Sequence, residues 1–442
     1  MKSEKINLIE DTIKSKNIEE YEIYVIENQI YETMFLKSEP EVEREIEDFD
    51  YFIRILSQKE DQTGVGVVKG NSLDPKEIGR NIDTCVILSK NNISSEYRFP
   101  KRKPISSINI ADETILKNPI GIKNDICEEL INIVREQKGV VPTFGRLRLH
   151  IKNELLRNSN DINLESLKTF FYIEYSLKAQ KNGNLSEYWN VEYFKEKEHL
   201  NLENRIENWA KLAKDNLNAE PPKPNKEAIV LFTPHVLKQA IIPVIGFHTS
   251  GQAFSNKISA YNINDEVASK DITLIDNGLL EGGLHTNGWD GEGNPHQKTE
   301  VIKNGVFKNR LYDQKYAMLN DEDPTGNGIR NSFGGITNGI SNVQIIPGNI
   351  SLNNIISNIK EGYYIKKFSW LNPEQLSGNF GAEIRNGYYI KNGEFQNPIK
   401  LGNISGNILE MMKNCLYISK ETEFSQNSLF PYMGFSNLNV SF

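Results

Sequence analysis

Isoleucines at 6, 9 and 13 return at helical spacing, so the chain is expected to open on an amphipathic helix. Glu22 to Glu27 and Ile30 to Lys37 then predict two strands around Asn28-Gln29. Phe52 to Leu56 and Val65 to Val68 predict two more, joined across a polar turn containing Gly64. Asp74-Pro75-Lys76-Glu77 marks a helix start. The aspartate can accept from free first-turn amides, proline's fixed φ suits the first turn, and the glutamate can reach back. Ile78, Ile82 and Cys85 continue that helix, and Ile126, Leu130 and Ile133 predict another. From 146 to 152 the pattern alternates: Leu147, Leu149 and Ile151 on one side, Arg146, Arg148, His150 and Lys152 on the other. That is the period of a half-buried strand. Thr169 to Leu177 reads as its continuation or neighbour, ending at the turn pair Asn182-Gly183, and Leu202, Ile206, Trp209, Ala213 and Leu217 mark a long helix.

The segment AEPPKPNK, Ala219 to Lys226, stops that helix because proline cannot continue it. Beyond it the pattern changes. An apolar strand, Ala228 to Phe232, leads into a region of glycine and asparagine turns. Asp276-Asn277-Gly278, Lys303-Asn304-Gly305, Arg385-Asn386-Gly387 and Lys391-Asn392-Gly393 each stand between strand-like runs and predict hairpins. Helices are expected near Leu352 to Ile359 and Ile408 to Met412. The expected class is α+β in two domains. Residues 1–220 form a mixed α/β domain, and residues 226–442 form a mainly antiparallel β domain with a few helices.

A chain of 442 residues suits two cores better than one. Its 38% hydrophobic and 25% charged residues are ordinary for a globular protein. The formal charge of −8, with no basic tail, offers no general attraction to nucleic acid or anionic lipid. No apolar run approaches the ~20 residues of a membrane helix. The start MKSEKINLIEDTIKSKN has no apolar core followed by small residues, unlike a secretory signal. Cys85, Cys127 and Cys415 are odd in number and far apart, as reduced thiols of a cytoplasmic protein would be.

Four blocks follow in order in the second half. ITLIDNGLLEGGLHTNGWDGEGNPHQKTEVIKNGVFKNRLYD (272–313) joins a strand, an acidic loop and a hairpin, and PTGNGIR (324–330) is a glycine-rich turn before an arginine. SNVQIIPGNISLNNIISNIKEGYYI (341–365) runs strand, Pro-Gly, helix, strand, and SGNFGAEIRNGYYIKNGEFQNPIKLGNISGN (377–407) closes the series. This order resembles the TldD/PmbA family. The first half resembles it more loosely, through the early strands and GVGVV at 64–68.

TldD-type members of that family carry HExxH on a helix, which sets two imidazoles one turn apart with a glutamate as general base for a zinc-bound water. Here the matching interval, 233–271, holds no HExxH, and Ile241 and Ile245 stand opposite the two ligand positions. Cys415, in EMMKNCLYISK, does not match the family's late cysteine ligand. The resemblance therefore implies a TldE/PmbA-type subunit without catalytic residues, metal or other cofactor. Its implied partner is a TldD-type HExxH homologue, in a heterodimer enclosing a channel that admits unfolded peptides; a homodimer is the alternative.

Thr337, Asn338, Ser341 and Asn342, with Ser377, Gly378, Asn379 and Phe380, are the candidate peptide-facing residues. They combine small size with groups that can satisfy a peptide backbone. His235 and His248 are expected to pack rather than ligate, being too far apart for a one-helix site and separated by Pro243. His285, Asp290, Glu292 and His296 form a denser cluster, expected as a stiffened turn. Together with His248 they are also the ligand set of the main rival, a stand-alone metallohydrolase. A gyrase modulator and a homodimeric ligand-binding protein are the others. His150 and His199 are expected to be solvated. Trp289, Trp370 and Phe380 are expected mainly in packing.

Overall fold

The computed structural model describes residues 2–442. Helix α1 (Lys2–Ser15) precedes three long strands, β1 (Tyr21–Leu36), β2 (Glu39–Lys59) and β3 (Gln62–Gly70). Then come α2 (Pro75–Asn91), β4 (Ile93–Ser95), α3 (Glu113–Lys117) and α4 (Pro119–Glu136). Strands β5 (Val140–Asn158), β6 (Asn163–Lys181) and β7 (Asn184–Phe194) and helix α5 (Leu202–Asp215) complete the first half. Its strands form one antiparallel sheet in the order β4-β3-β2-β1-β5-β6-β7.

Period-two alternation gives this sheet two different faces. Ile23 and Val25 pack on α1 and α2 through Ile6, Ile9, Ile13, Ile78 and Ile82. On the same face Tyr31, Phe35, Leu147 and Leu149 meet α4 and α5. The opposite face carries Glu22, Glu32, Arg148 and His150. Helix α2 starts as its sequence requires, with the Asp74 carboxylate accepting from the amides of Lys76 and Glu77.

The second half supplies β8 (Asn225–Phe232), α6 (Pro234–Thr249), α7 (Gly251–Ser255), β9 (Leu274–Asn277), β10 (Lys298–Lys303) and β11 (Val306–Phe307). It continues through α8 (Gln314–Leu319), β12 (Gly328–Arg330), β13 (Ile336–Asn338), β14 (Val343–Ile345), α9 (Leu352–Asn358), β15 (Glu361–Phe368) and β16 (Asn379–Lys391). The end comprises β17 (Glu394–Ile399), β18 (Asn403–Asn407), α10 (Ile408–Lys413), β19 (Cys415–Ser425) and β20 (Ser428–Ser441). Eleven strands make one mostly antiparallel sheet; β14–β20 and β15–β8 are its parallel pairs. Strand β20 bonds β18 on one side and β8 on the other, so β20, β18, β16, β15 and β8 close into a ring. Closure leaves those strands few open edges. The architecture is the expected α+β.

Helix α5 joins the halves. Trp209, Ala210 and Leu212 share one buried cluster with Leu231, Tyr364, Tyr388 and Ile390 of the ring. On the polar face of the first sheet, Glu22 accepts from Arg330 Nη2 at 2.5 Å and Arg54 Nη1 at 3.4 Å, while Tyr97 donates to Glu292 at 2.7 Å. Glu22, Arg54 and Glu292 of that junction are buried, and the Arg330 side chain is only 5% exposed.

Several local expectations need correction. The segments 22–27 and 30–37 are one strand, because β1 is paired on both sides along its length and Asn28-Gln29 stays in register. The turn before β3 is Glu60-Asp61, with Glu60 at φ 55°, and Gly64 lies inside β3. Asp276-Asn277-Gly278 starts a long loop, since β9 meets β10 only at Lys298. Asn386-Gly387 lies inside β16 opposite a register shift in β15. Asn304-Gly305 and Asn392-Gly393 are turns as expected, with positive φ at both residues. Helix α6 runs through Pro243, its apolar face held by the core. His150 is buried, stacked on Phe170 at 4.3 Å, and burial lowers its pKa to about 4. His199 packs against Phe424, whereas Trp370 is exposed. No helix among the described residues is long and apolar enough to cross a membrane. The three cysteines are free thiols.

Candidate functional site

The strand–helix unit β8–α6 organises the chemistry of the second half. Strand β8 ends at Phe232, Thr233 turns the chain, and Pro234 occupies the first turn of α6. Proline suits that position because a first-turn amide has no intrahelical partner. Val236, Leu237, Ala240, Ile241, Val244 and Ile245 then bury one face. Ile241 and Ile245 are one turn apart and surrounded by apolar side chains, among them Leu274, Val301, Leu311 and Val343. Neither can donate a lone pair, and zinc needs several convergent nitrogen, sulfur or oxygen ligands. The residues present do not fit the metal that HExxH members hold, and among the described residues no three His, Cys, Asp or Glu side chains converge to hold one.

His235 and His248 sit at opposite ends of α6, about 20 Å apart at the helical rise of 1.5 Å per residue. His248 Nδ1 accepts from the Ala260 amide at 2.9 Å and packs on Phe247 and Tyr261. His235 faces Gln239 at 3.1 Å and Ser425 at 3.4 Å. Burial first, then the charges of Lys367, Lys238 and Arg205, lowers its pKa to about 4, so it is neutral at pH 7.

His235 opens onto a cleft of about 690 Å³ between the halves. Helix α5 contributes Asn204, Asn208 and Trp209, strand β7 contributes Asn190 and Glu192, and the β19–β20 hairpin contributes Glu423, Phe424 and Ser425. Lys366 comes from β15. His199 lines the same cleft, and of its lining only these two histidines stand out in the sequence as candidates. Asn190, Asn204, Asn208 and Lys366 lie on three separate elements, β7, α5 and β15, so no spacing along the chain announces them. The Thr233-Pro234 helix start was the available signal.

The acidic cluster has become a clip. Asp290 Oδ1 accepts from the amides of Glu292 and Asn294, both at 2.9 Å, and Oδ2 accepts from the Gly328 amide at 2.8 Å. Glu292 takes the Tyr97 hydroxyl and the Gln314 amide. Burial, and then the neighbouring Glu292 charge, raises the Asp290 carboxyl above its ordinary range. His285 lies against the Ser341 carbonyl at 3.3 Å. Burial lowers both His285 and His296 to about 4. These oxygens are spent on backbone amides and the Tyr97 hydroxyl, which hold the loop, and this argues against the metallohydrolase rival.

The two candidate peptide-facing segments flank the C-terminal end of α6. Asn338 Oδ1 accepts from the Gln252 amide, and Leu376 lies beside His248. The structure separates their residues into two groups. Thr337, Ser377 and Asn379 are exposed and Asn338 is half-buried. Ser341 is buried, bonded through its amide and hydroxyl to Asp276 at 2.7 and 3.0 Å. Asn342 is also buried, accepting from the His285 amide and donating to Asn277 and Thr286. Phe380 belongs to the core, and Gly378 is buried at φ 76°. Buried polar groups already satisfied inside the protein have no capacity left for a peptide, which leaves the exposed Thr337, Ser377 and Asn379; Asn338, half-buried, already accepts from Gln252 and donates to the Asn327 carbonyl.

Comparison with known proteins bears on this geometry. Residues 225–442 match the profile of the PmbA/TldA metallopeptidase C-terminal domain. Metalloprotease MJ0996 of Methanocaldococcus jannaschii is 25% identical over 388 residues, covering 82% of each chain. The metalloprotease TldD homolog of Buchnera aphidicola subsp. Schizaphis graminum is 28% identical over 246 residues, 54% of this chain and 50% of that one. The chain thus spans most of the first relative's length and about half of the second's. Among solved structures, TldE from Thermococcus kodakarensis superposes with a TM-score of 0.87 at 22% identity, covering 99% of both chains. A Thermotoga maritima protein described as a putative modulator of a DNA gyrase superposes with a TM-score of 0.84 at 19% identity, covering 100% of both.

Proposed function

The chain belongs to the TldD/PmbA family, whose C-terminal domain it carries over residues 225–442, and on that premise we propose that it is a non-catalytic, TldE-type subunit. It assembles with an HExxH-bearing homologue and helps to form the passage through which unfolded peptides reach that homologue's zinc. The observation that carries this reading is helix α6. Ile241 and Ile245 are buried in the apolar core, so the helix serves packing rather than metal binding. What remains for this chain is positioning and admission. The cleft at the N-terminal end of α6 and the exposed residues at its C-terminal end are the surfaces available for those tasks.

We take residues 1–220 and 226–442 as the two domains of this subunit, with α5 of the first packed against the second. The two-sheet architecture and the profile boundary at 225 support that division.

Co-expression with an HExxH-containing homologue tests the proposal. The purified pair is expected to cleave unfolded peptides and to leave a folded protein intact, while this chain alone cleaves neither. Mixed chains that never co-elute, or cleavage by this chain alone, would overturn it.

A further inference from the structure

We propose that the 690 Å³ cleft at the N-terminus of α6 receives the terminal carboxylate of an extended peptide, held by Lys366 with Lys238 and Lys367 behind the wall. This deepens the reading of the chain as a peptide-admitting subunit and rests on it.

The argument starts from charge. Lys366 Nζ donates to Asn208 Oδ1 at 2.7 Å. Lys367 Nζ donates to the Trp189 carbonyl and to Asn190 Oδ1, and Lys238 Nζ to Gln426 Oε1. All these acceptors are neutral, and among the described residues none of the three lysines forms an ion pair. The nearby acids do not make up the difference. Glu192 is engaged by Arg205 and Asn190, and Asp215 by Lys211 and Tyr388. Glu423 accepts from Tyr432, and Glu198 lies exposed at the rim. Lys366 thus lines the cavity, with Lys238 and Lys367 behind its wall, while the lining holds two acids outside ion pairs, Glu198 and Glu423. Burial lowers each of the three lysines to about 8. An enclosed cation without a counter-ion is costly, and an anion brought into the cavity relieves that cost.

A second feature adds to the same field. The first turn of α6 faces the cleft through Thr233 and His235, and no side chain caps it. Free amides at a helix N-terminus favour an anion. His235 is neutral there, so it neither competes with nor duplicates the lysines.

The remaining lining suits a peptide behind the carboxylate. Asn204 keeps its side-chain oxygen and Asn208 its side-chain amide donor for backbone groups, while Trp209 and Phe424 supply apolar surface. The volume lies within the ~300–1,000 Å³ of small-ligand sites, which admits a short segment and excludes a folded domain.

Calorimetric titration of the full chain tests this with three probes: N-acetyl-trialanine as the free acid, its C-terminal amide, and inorganic phosphate. The acid is expected to saturate one site. The amide and phosphate should bind at least about tenfold more weakly, the ratio expected when a charged hydrogen bond is lost. Lys366→Met should weaken the acid about tenfold without affecting the amide, and Lys366→Arg should restore it. Lys238→Met provides the same comparison should Lys366→Met fail to fold. Equal binding of acid and amide, tighter binding of phosphate, no binding of the acid, or indifference to the charge-removing variants would each overturn the proposal. The outcome is separate from that of co-expression: peptide cleavage by the pair without acid preference sinks only this inference, and acid preference without cleavage sinks only the subunit reading.

Discussion

Glu22→Gln tests whether the buried charge junction locks the two halves together. The substitution keeps the shape of the side chain and removes its charge. Glu22 is fully buried, with Arg330 at 2.5 Å and Arg54 at 3.4 Å. Arg54 retains Glu292 only at 3.7 Å, and Arg330 retains the carbonyls of Gly291 and Gly334. Two buried guanidinium groups would thus lose their nearest counter-charge. Breaking a buried pair in this way costs about 3–5 kcal/mol, far more than an exposed pair. Arg330→Gln removes one partner and should cost a similar amount. Because the two side chains touch, the double variant should be less destabilised than the sum, by about 1–3 kcal/mol. Urea unfolding followed by tryptophan fluorescence and by far-UV circular dichroism provides the measurement. Coincident curves are required before free energies are extracted, since a chain of two sheets can unfold in steps. A loss below about 1 kcal/mol for Glu22→Gln, or strict additivity in the double variant, would refute the lock.

Gly378→Val should destabilise the chain by about 1–2 kcal/mol or more, because a β-branched residue resists φ 76° and its Cβ would meet Leu409 at 3.0 Å; thermal unfolding reads this. Asn342→Leu should likewise cost about 1–3 kcal/mol for each buried partner left unbonded, whereas Ser377→Ala and Asn379→Ala should leave the unfolding midpoint unchanged. Elemental analysis of purified chain should find zinc well below one per chain, and tight stoichiometric zinc would refute the reading of α6. The three cleft lysines have folded pKa values near 8, depressed below the unfolded ~10.4. Across that window the unfolded chain binds more protons, so stability should rise from about pH 8 to pH 10 and fall back as pH drops through 8. Lys366→Met should flatten this rise in unfolding midpoint, and an unchanged slope would remove Lys366 from the account.

Local chemistry was legible in the sequence wherever neighbours along the chain decide the outcome. Ile6, Ile9 and Ile13 gave α1, and Asp74-Pro75 gave the start of α2 with both amides capped. Asn182-Gly183, Asn304-Gly305 and Asn392-Gly393 gave true turns, because few other pairs tolerate two positive φ angles in succession. The absence of HExxH was equally a property of the sequence, and it bounds what α6 can do. Partners distant along the chain decided the rest. Asn386-Gly387 has the composition of a turn, yet pairing to β15 on one side and β17 on the other keeps it within a strand. His150 keeps its alternating place but loses solvent, because neighbouring strands bring Phe170 over its ring. Ser341 and Asn342 look available for a ligand until Asp276, Thr286 and the His285 amide are placed beside them. The lysines at 238, 366 and 367 read as ordinary surface charges. Only the meeting of α5, α6, β15 and the β19–β20 hairpin sets Lys366 in the wall of one cleft with Lys238 and Lys367 behind it. A side chain's type and local spacing are fixed by the chain itself, but its solvation depends on which remote elements cover it, and solvation is what turns these three charges into a site.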